Sequence, residues 1–207
     1  MQAKTVRQRL DPIRRTELIL DAALGLFGTS HFSIVTMRDI AGACDINVAL
    51  LYHYFKSKDH LIQSVLENAI TQITSDYQAR RAAHADDFLG DIGAWLQTHT
   101  HMAPSLMTRM VKLMADYAAL KTQDPELDAL VQGFYSFERE LIVATLNAGI
   151  ATGQYRAIDP AKAARLIGLH LDGIFHAAES RGENRIGEDI KDLRDLLQAH
   201  LTLERAS

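Results

Sequence analysis

Between Thr36 and Lys58 the chain reads TMRDIAGACDINVALLYHYFKSK, a stretch whose residue types can bind an anionic polymer. The hydroxyls of Tyr52 and Tyr54, the imidazole of His53 and the ammonium of Lys58 can all meet phosphate oxygens, and such contacts set the register of a protein on a duplex. Two short helices and a tight turn must hold them. Thr36 can accept a hydrogen bond from an orphan backbone N–H, and Asp39 three residues on completes an acidic capping box, so a helix is expected to begin after Thr36. Met37, Ile40 and Ala41 then recur at helical spacing, with Arg38 and Asp39 facing outward. The run stops at Cys44-Asp45, where Asp45 tolerates a left-handed corner and Ile46 plugs the angle. Asn47 is expected to cap a second helix, Val48 to about Tyr54, and Ser57 to cap a third, whose free N–H groups favour a nearby phosphate. This spacing is that of a DNA-reading helix-turn-helix.

Charge is distributed to match. The 207 residues carry a formal net charge of −4. Residues 1 to 58 hold eight basic side chains (Lys4, Arg7, Arg9, Arg14, Arg15, Arg38, Lys56 and Lys58) against five acidic ones, a net of +3, which leaves −7 for the remainder. A basic module on an acidic body suits phosphate binding, because each neutralised phosphate releases condensed counterions. Lys4, Arg7 and Arg9 precede the first helical pattern, where either a groove-reaching arm or a solvated tail fits.

Beyond Lys58 the pattern is helical throughout and no strand is expected, so the predicted fold class is all-α. Leu61, Ile62, Val65, Leu66, Ala69, Ile70 and Ile73 form a stripe that joins the reader to the body. After a polar break at Ala83 to Asp87, Phe88, Ile92, Trp95, Leu96 and His99 continue the pattern, and Pro104 is read as opening another helix. Asp124-Pro125 and Asp159-Pro160 each pair a cap with a first-turn proline. The helix after Asp159 carries apolar groups all round and must be covered all round. Leu171, Ile174, Phe175 and Ala178, with Ile190, Leu193 and Leu197 of the last helix, are therefore expected to meet a second subunit. A two-fold dimer would present recognition helices to major grooves about 34–36 Å apart, on a near-palindromic site.

The segment Thr36–Lys58 resembles the amino-terminal domain of the TetR (tetracycline repressor) family of bacterial transcriptional regulators. Ala22, Ala23, Leu26, Phe27, Thr36, Ile40, Ala41, Ile46, Leu51, Tyr52, Tyr54, Phe55 and Lys58 carry the resemblance in order. It implies a three-helix DNA-binding domain (residues 1–58) and a helical effector-binding and dimerisation domain (59–207), with two helices of each subunit pairing as a homodimer. It also implies phosphate contacts from Thr36, Tyr52, Tyr54 and Lys58, and a groove-facing surface at Val48, Ala49 and His53. Arg38, Asn47 and Leu50 complete the candidate DNA-binding set. Two positions depart from the family's pattern: Asp45 stands where glycine is usual, and Leu50 where a small or hydroxylated residue meets DNA, which predicts a changed sequence preference.

An effector site, which the resemblance also implies, is sought among the central helices. Met102, Met107, Met110 and Met114 with Trp95, Tyr117, Phe134 and Phe137 would make an adaptable apolar wall, and His99 and His170 lie among them, although each fits ordinary core packing as well. His99, Arg109, Asp116, Glu138, His170, Asp172 and His176 interrupt apolar stripes, where an unpaired charge is costly. Asp172 and His176 share a helix face with Glu179, and pairing at the dimer interface is the expected role. His99 and His101 point roughly 200° apart on one helix, which argues against a metal, and no cofactor is called for.

An enzyme is the competing class and finds no site. The chain has no Gly-x-Ser-x-Gly elbow, no phosphate-cradling glycine loop and no His-Glu-x-x-His helix, and Asp86-Asp87 and Glu188-Asp189 read as caps and solvated faces, so no catalytic residue is assigned. Cys44, alone, reads as a small hydrophobe in a reducing compartment. No apolar run nears the roughly 20 residues that cross a bilayer, so a cytoplasmic protein is expected. The expectation is a transcriptional regulator, most simply a repressor released by a small-molecule effector. An architectural, effector-independent DNA-binding protein of the same fold is the alternative.

Overall fold

A computed structural model describes residues 11–83, 87–120, 124–182 and 184–202. Lys4, Arg7, Arg9 and Asp86 lie outside these. Nine α-helices and one π-helical turn, with no strand, occur among the described residues. In chain order they are α1 (Pro12–Thr29), α2 (Met37–Ala43), α3 (Val48–Tyr54), α4 (Lys58–Ala83), α5 (Gly90–Met102), the π turn (Ala103–Met107), α6 (Thr108–Ala118), α7 (Pro125–Ala151), α8 (Pro160–Arg181) and α9 (Ile186–Leu201).

Local chemistry sets most helix starts. Asp124 Oδ1 accepts from the N–H groups of Glu126 and Leu127 at 2.8 and 3.2 Å, and Asp159 Oδ1 does the same for Ala161 and Lys162 at 3.0 and 3.1 Å. Pro104 departs from the sequence expectation. It lies inside the π turn, and α5, the turn and α6 follow one another without a break. A proline lacks the N–H that continues an α-helix, and the wider turn absorbs that loss; the hydroxyl of Thr108 donates to the Ala103 carbonyl at 2.8 Å.

The first three helices share one core with the body, because α1 packs on α4 and α6 as well as on α2. Gly28 is where α6 comes closest: a Cβ there would stand 2.6 Å from Cγ of Arg109, so only glycine lets the Arg109 stem cross α1. In the body, α4, α5 and α7 pack together, and α8 and α9 close over them. At the far end the Tyr155 ring sits directly on Gly149, and its hydroxyl donates to the Phe88 carbonyl at 2.6 Å.

The two last helices show which side is left outside. Leu171, Phe175, Ile190, Leu193 and Leu197, expected at a subunit interface, are buried within the single chain, and Ile174 and Ala178 are half-buried against the same core. They recur at three and four residues because that is the inner face of α8 and α9, covered by the chain's own helices. The exposed apolar groups are instead Leu166 and Leu169 of α8 and Leu196 of α9, at 47%, 53% and 60% exposure.

Candidate nucleic-acid interface

The base of the interface is the buried pair Leu51 and Phe55, which fixes α3 on the core through one face. At 3.6 residues per turn, Ala49, Tyr52 and His53 fall within an arc of about 100° on the opposite side, and all three are exposed. Tyr52 is 51% exposed beside the buried Leu51. Val48 and Tyr54 are half-buried and pack on the core, so Val48 supports α3 more than it offers itself to a groove; Leu50 is half-buried too, and Arg38 and Asn47 are exposed.

Each turn around α3 is held by a specific group. The Thr36 hydroxyl accepts from the Asp39 N–H at 3.2 Å and donates to the Asp39 carboxylate at 2.7 Å, while the Thr36 N–H donates to the same carboxylate at 2.8 Å. These bonds, followed by the charges of Arg38 and Lys58, hold the Asp39 carboxyl below its usual range. The Thr36 proton is thus already engaged, and a phosphate at this point would have to share it. Asp45 adopts φ +50°, the left-handed corner expected of it. Asn47 Oδ1 accepts from the Leu50 N–H at 2.7 Å, and Ser57 Oγ from the His60 N–H at 3.1 Å. Cys44 is half-buried beside the corner, and burial pushes its thiol up.

Lys58, expected to meet phosphate, is also held from within the chain. Its ammonium donates to the Ser33 carbonyl at 3.2 Å and lies 5.6 Å from the centre of the Phe32 ring, and partial burial lowers its pKa. The first residue of α4 therefore ties that helix to the loop before α2.

The residues proposed for an effector are dispersed. Trp95, Met107, Met110, Phe134 and Tyr117 are buried in the common core, because the Met and aromatic stripe faces the centre of the bundle. Met102 is half-buried, Phe137 is 36% exposed with its ring on Tyr77 and Trp95, and His170 is exposed, bonded only to its own helix at the Leu166 carbonyl. Met114 lines a cleft of about 440 Å³ between α6, α7 and α8, and Tyr117 lines a separate one beside Phe32 and the start of α4. Asp172, His176 and Glu179, expected at a subunit interface, line that cleft with Tyr135 and Phe175.

Sequence reasoning also missed a buried polar centre. The Trp95 indole N–H donates to Glu138 Oε2 at 2.9 Å, and His99 Nε2 stands 3.7 Å from the same oxygen. A carbonyl only accepts, so His99 Nδ1, 3.0 Å from the Trp95 carbonyl, carries the proton and leaves Nε2 facing Glu138 as a lone pair. Burial pushes Glu138 up to about 7 and His99 down to about 4. His101 points elsewhere, its Nδ1 3.0 Å from Asp76 of α4, so the two histidines share no ligand site.

Residues 19–65 match the family model described as bacterial regulatory proteins, tetR family. The HTH-type transcriptional repressor KstR2 of Rhodococcus jostii is 28% identical over 152 residues, 70% of this chain and 69% of that protein. The HTH-type transcriptional regulator BetI of Brucella anthropi is 32% identical over 126 residues, 53% of this chain and 63% of that protein. Among solved structures, the ketosteroid transcriptional regulator KstR2 of Mycobacterium tuberculosis has a TM-score of 0.73 at 20% identity, covering 97% of this chain and 100% of that one. A protein from Saccharomonospora viridis in complex with choline has a TM-score of 0.78 at 17% identity, covering 93% and 100%.

Proposed function

The chain belongs to the TetR family of bacterial transcriptional regulators, and from that premise we propose that it binds a near-palindromic operator as a homodimer and releases it when a small molecule occupies the body. The reading assigns residues 1–58 to DNA and 59–207 to the effector and the partner subunit, in the cytoplasm. The observation that carries it is the outward sector of α3: Ala49, Tyr52 and His53 stand exposed over a fully buried Leu51 and a buried Phe55, capped at its start by Asn47. A helix fixed this firmly on one face and bare on the other is built to enter a groove. No helix among the described residues is long and apolar enough to cross a membrane.

Leu166, Leu169 and Leu196 support the dimer, as large apolar groups left uncovered on α8 and α9. Effector release is supported by α6, which lines the cleft with Val111, Met114 and Ala115 and packs on α1 with Arg109. The Asp116 carboxylate, on the cleft, lies 4.0 Å from His31, beyond the end of α1. A ligand that prefers one arrangement of α6 would bias the spacing of the two recognition helices, and coupling of about 1–3 kcal/mol would change occupancy roughly fivefold to a hundredfold. The S. viridis relative holds choline, which supports a small-molecule role for the body.

Selection of bound duplexes from a random pool tests the proposal. A two-fold motif with half-sites about 10–10.5 base pairs apart is expected, with affinity falling steeply as salt rises. Failure to enrich any sequence at low ionic strength would overturn it.

A further inference from the structure

The cleft between α6, α7 and α8 has a chemistry of its own. At about 440 Å³ it falls in the size range of small-molecule sites, and Val111, Met114, Val131 and Phe175 give it apolar walls. Four charged side chains line it: Lys112, Asp116, Asp172 and Glu179, with His176 beside them. Lys112 is already spent, its ammonium 2.9 Å from Asp116. Asp172 and Glu179 have no cationic partner among the described residues, although Asp172 sits where burial raises its carboxyl pKa and where its charge raises the pKa of Tyr135. The cleft thus holds a surplus of negative charge beside the half-buried Tyr135 ring. Exposed carboxylates at its rim attract a positive charge, and an aromatic face attracts a cation in the same place.

We infer that the effector taken by this cleft is an organic cation, an ammonium or comparable positive head on an apolar body, seated on Tyr135 with Asp172 and Glu179 as counter-charges. The inference deepens the functional reading above and rests on it for the body's role, but it concerns binding and can fail separately. A neutral ligand would gain nothing from the two carboxylates, and an anion would be repelled by them.

Isothermal titration of the full chain with tetraethylammonium, benzyltriethylammonium and tetraphenylphosphonium, and with 4-tert-butylbenzoate as an anion, provides the test. At least one cation should bind and the benzoate should not. The near-isosteric double substitution Asp172→Asn with Glu179→Gln should weaken the cation about tenfold or more. Tyr135→Leu should weaken it by a smaller factor; melting curves of both variants verify their folding. If no cation binds, if the benzoate binds as well, or if the double variant binds undiminished, the inference is overturned. Parallel titration of the selected duplex separates the two ideas. A cation that binds without releasing DNA sinks the effector reading alone, whereas release by a neutral or anionic compound with no cation bound sinks the inference alone.

Discussion

Glu138 and His99 should together add almost nothing to the acid dependence of this protein's stability between pH 6.5 and 4.5, and removing either should expose the other. Glu138 is displaced from 4.5 to about 7, first by burial, against the opposing Trp95 hydrogen bond, with the charge of Asp172 adding to the rise. A carboxyl with a raised folded pKa holds its proton more tightly when folded, so acidification from about pH 7 to 4.5 favours folding. His99 is displaced from 6.5 to about 4 by burial, against its bond to the Trp95 carbonyl. A base so lowered resists protonation in the fold, so acidification from pH 6.5 to about 4 opposes folding. Each displacement is worth about 3 kcal/mol, on groups that are only 7% and 3% exposed. Between pH 6.5 and 4.5 the pair holds one proton in both states, on Glu138 when folded and on His99 when unfolded, and the two slopes cancel. Urea unfolding of the parent, Glu138→Gln and His99→Phe at several pH values from 4.5 to 7.5 reads this directly, because all other titrations drop out of the differences. Relative to the parent, Glu138→Gln should fall behind by about 3 kcal/mol as the pH drops from about 7 to 4.5, and His99→Phe should gain a similar amount between pH 6.5 and about 4. Difference curves that stay flat across this window would refute the assignment of a neutral pair.

Other outcomes follow from the same geometry. Tyr52→Ala should weaken binding to every duplex alike while His53→Ala changes the selected motif; unchanged affinity for Tyr52→Ala would remove it from the interface. Asn47→Ala should cost about 1 kcal/mol in urea unfolding through loss of the cap on Leu50. Gly149→Ala should cost about 1–3 kcal/mol, since the new methyl occupies the place of the Tyr155 ring, and a neutral result would mean that ring has somewhere else to go. Leu166→Glu with Leu169→Glu should yield a monomer in sedimentation, with its helices intact by circular dichroism.

What the sequence disclosed was whatever a few neighbouring residues decide. The Thr36 and Asp39 box, the left-handed Asp45, the Asn47 cap and the two Asp-Pro starts are each settled within four positions, and each is found as expected. Of the three α3 residues expected to face a groove, Ala49 and His53 are exposed whereas Val48 packs on the core, a difference that the motif alone did not carry. Periodicity could not say whose core a stripe serves. Leu171, Phe175, Ile190, Leu193 and Leu197 have the spacing of an interface and of an interior alike, and the chain's own α5, α6 and α7 cover that side of α8 and α9 before a partner can. Contacts between distant positions were equally silent: Trp95 meets Glu138 across 43 residues, and Lys58 reaches back 25 to Ser33. Pro104 misled because the same missing N–H that starts a helix also suits a π turn.

That wide turn sets the phase of everything after it. A π turn accommodates one residue more than an α-helical turn while keeping the helices on either side in register, so a residue added or lost beyond the turn, where nothing absorbs it, would swing all of α6 by the roughly 100° that each α-helical residue advances. Arg109 would leave its track across Gly28, and Val111, Met114 and Ala115 would turn away from the cleft together. Along this continuous rod the number of residues is therefore held as tightly as their kind: the turn is a spacer whose tooth count meshes the cleft with α1.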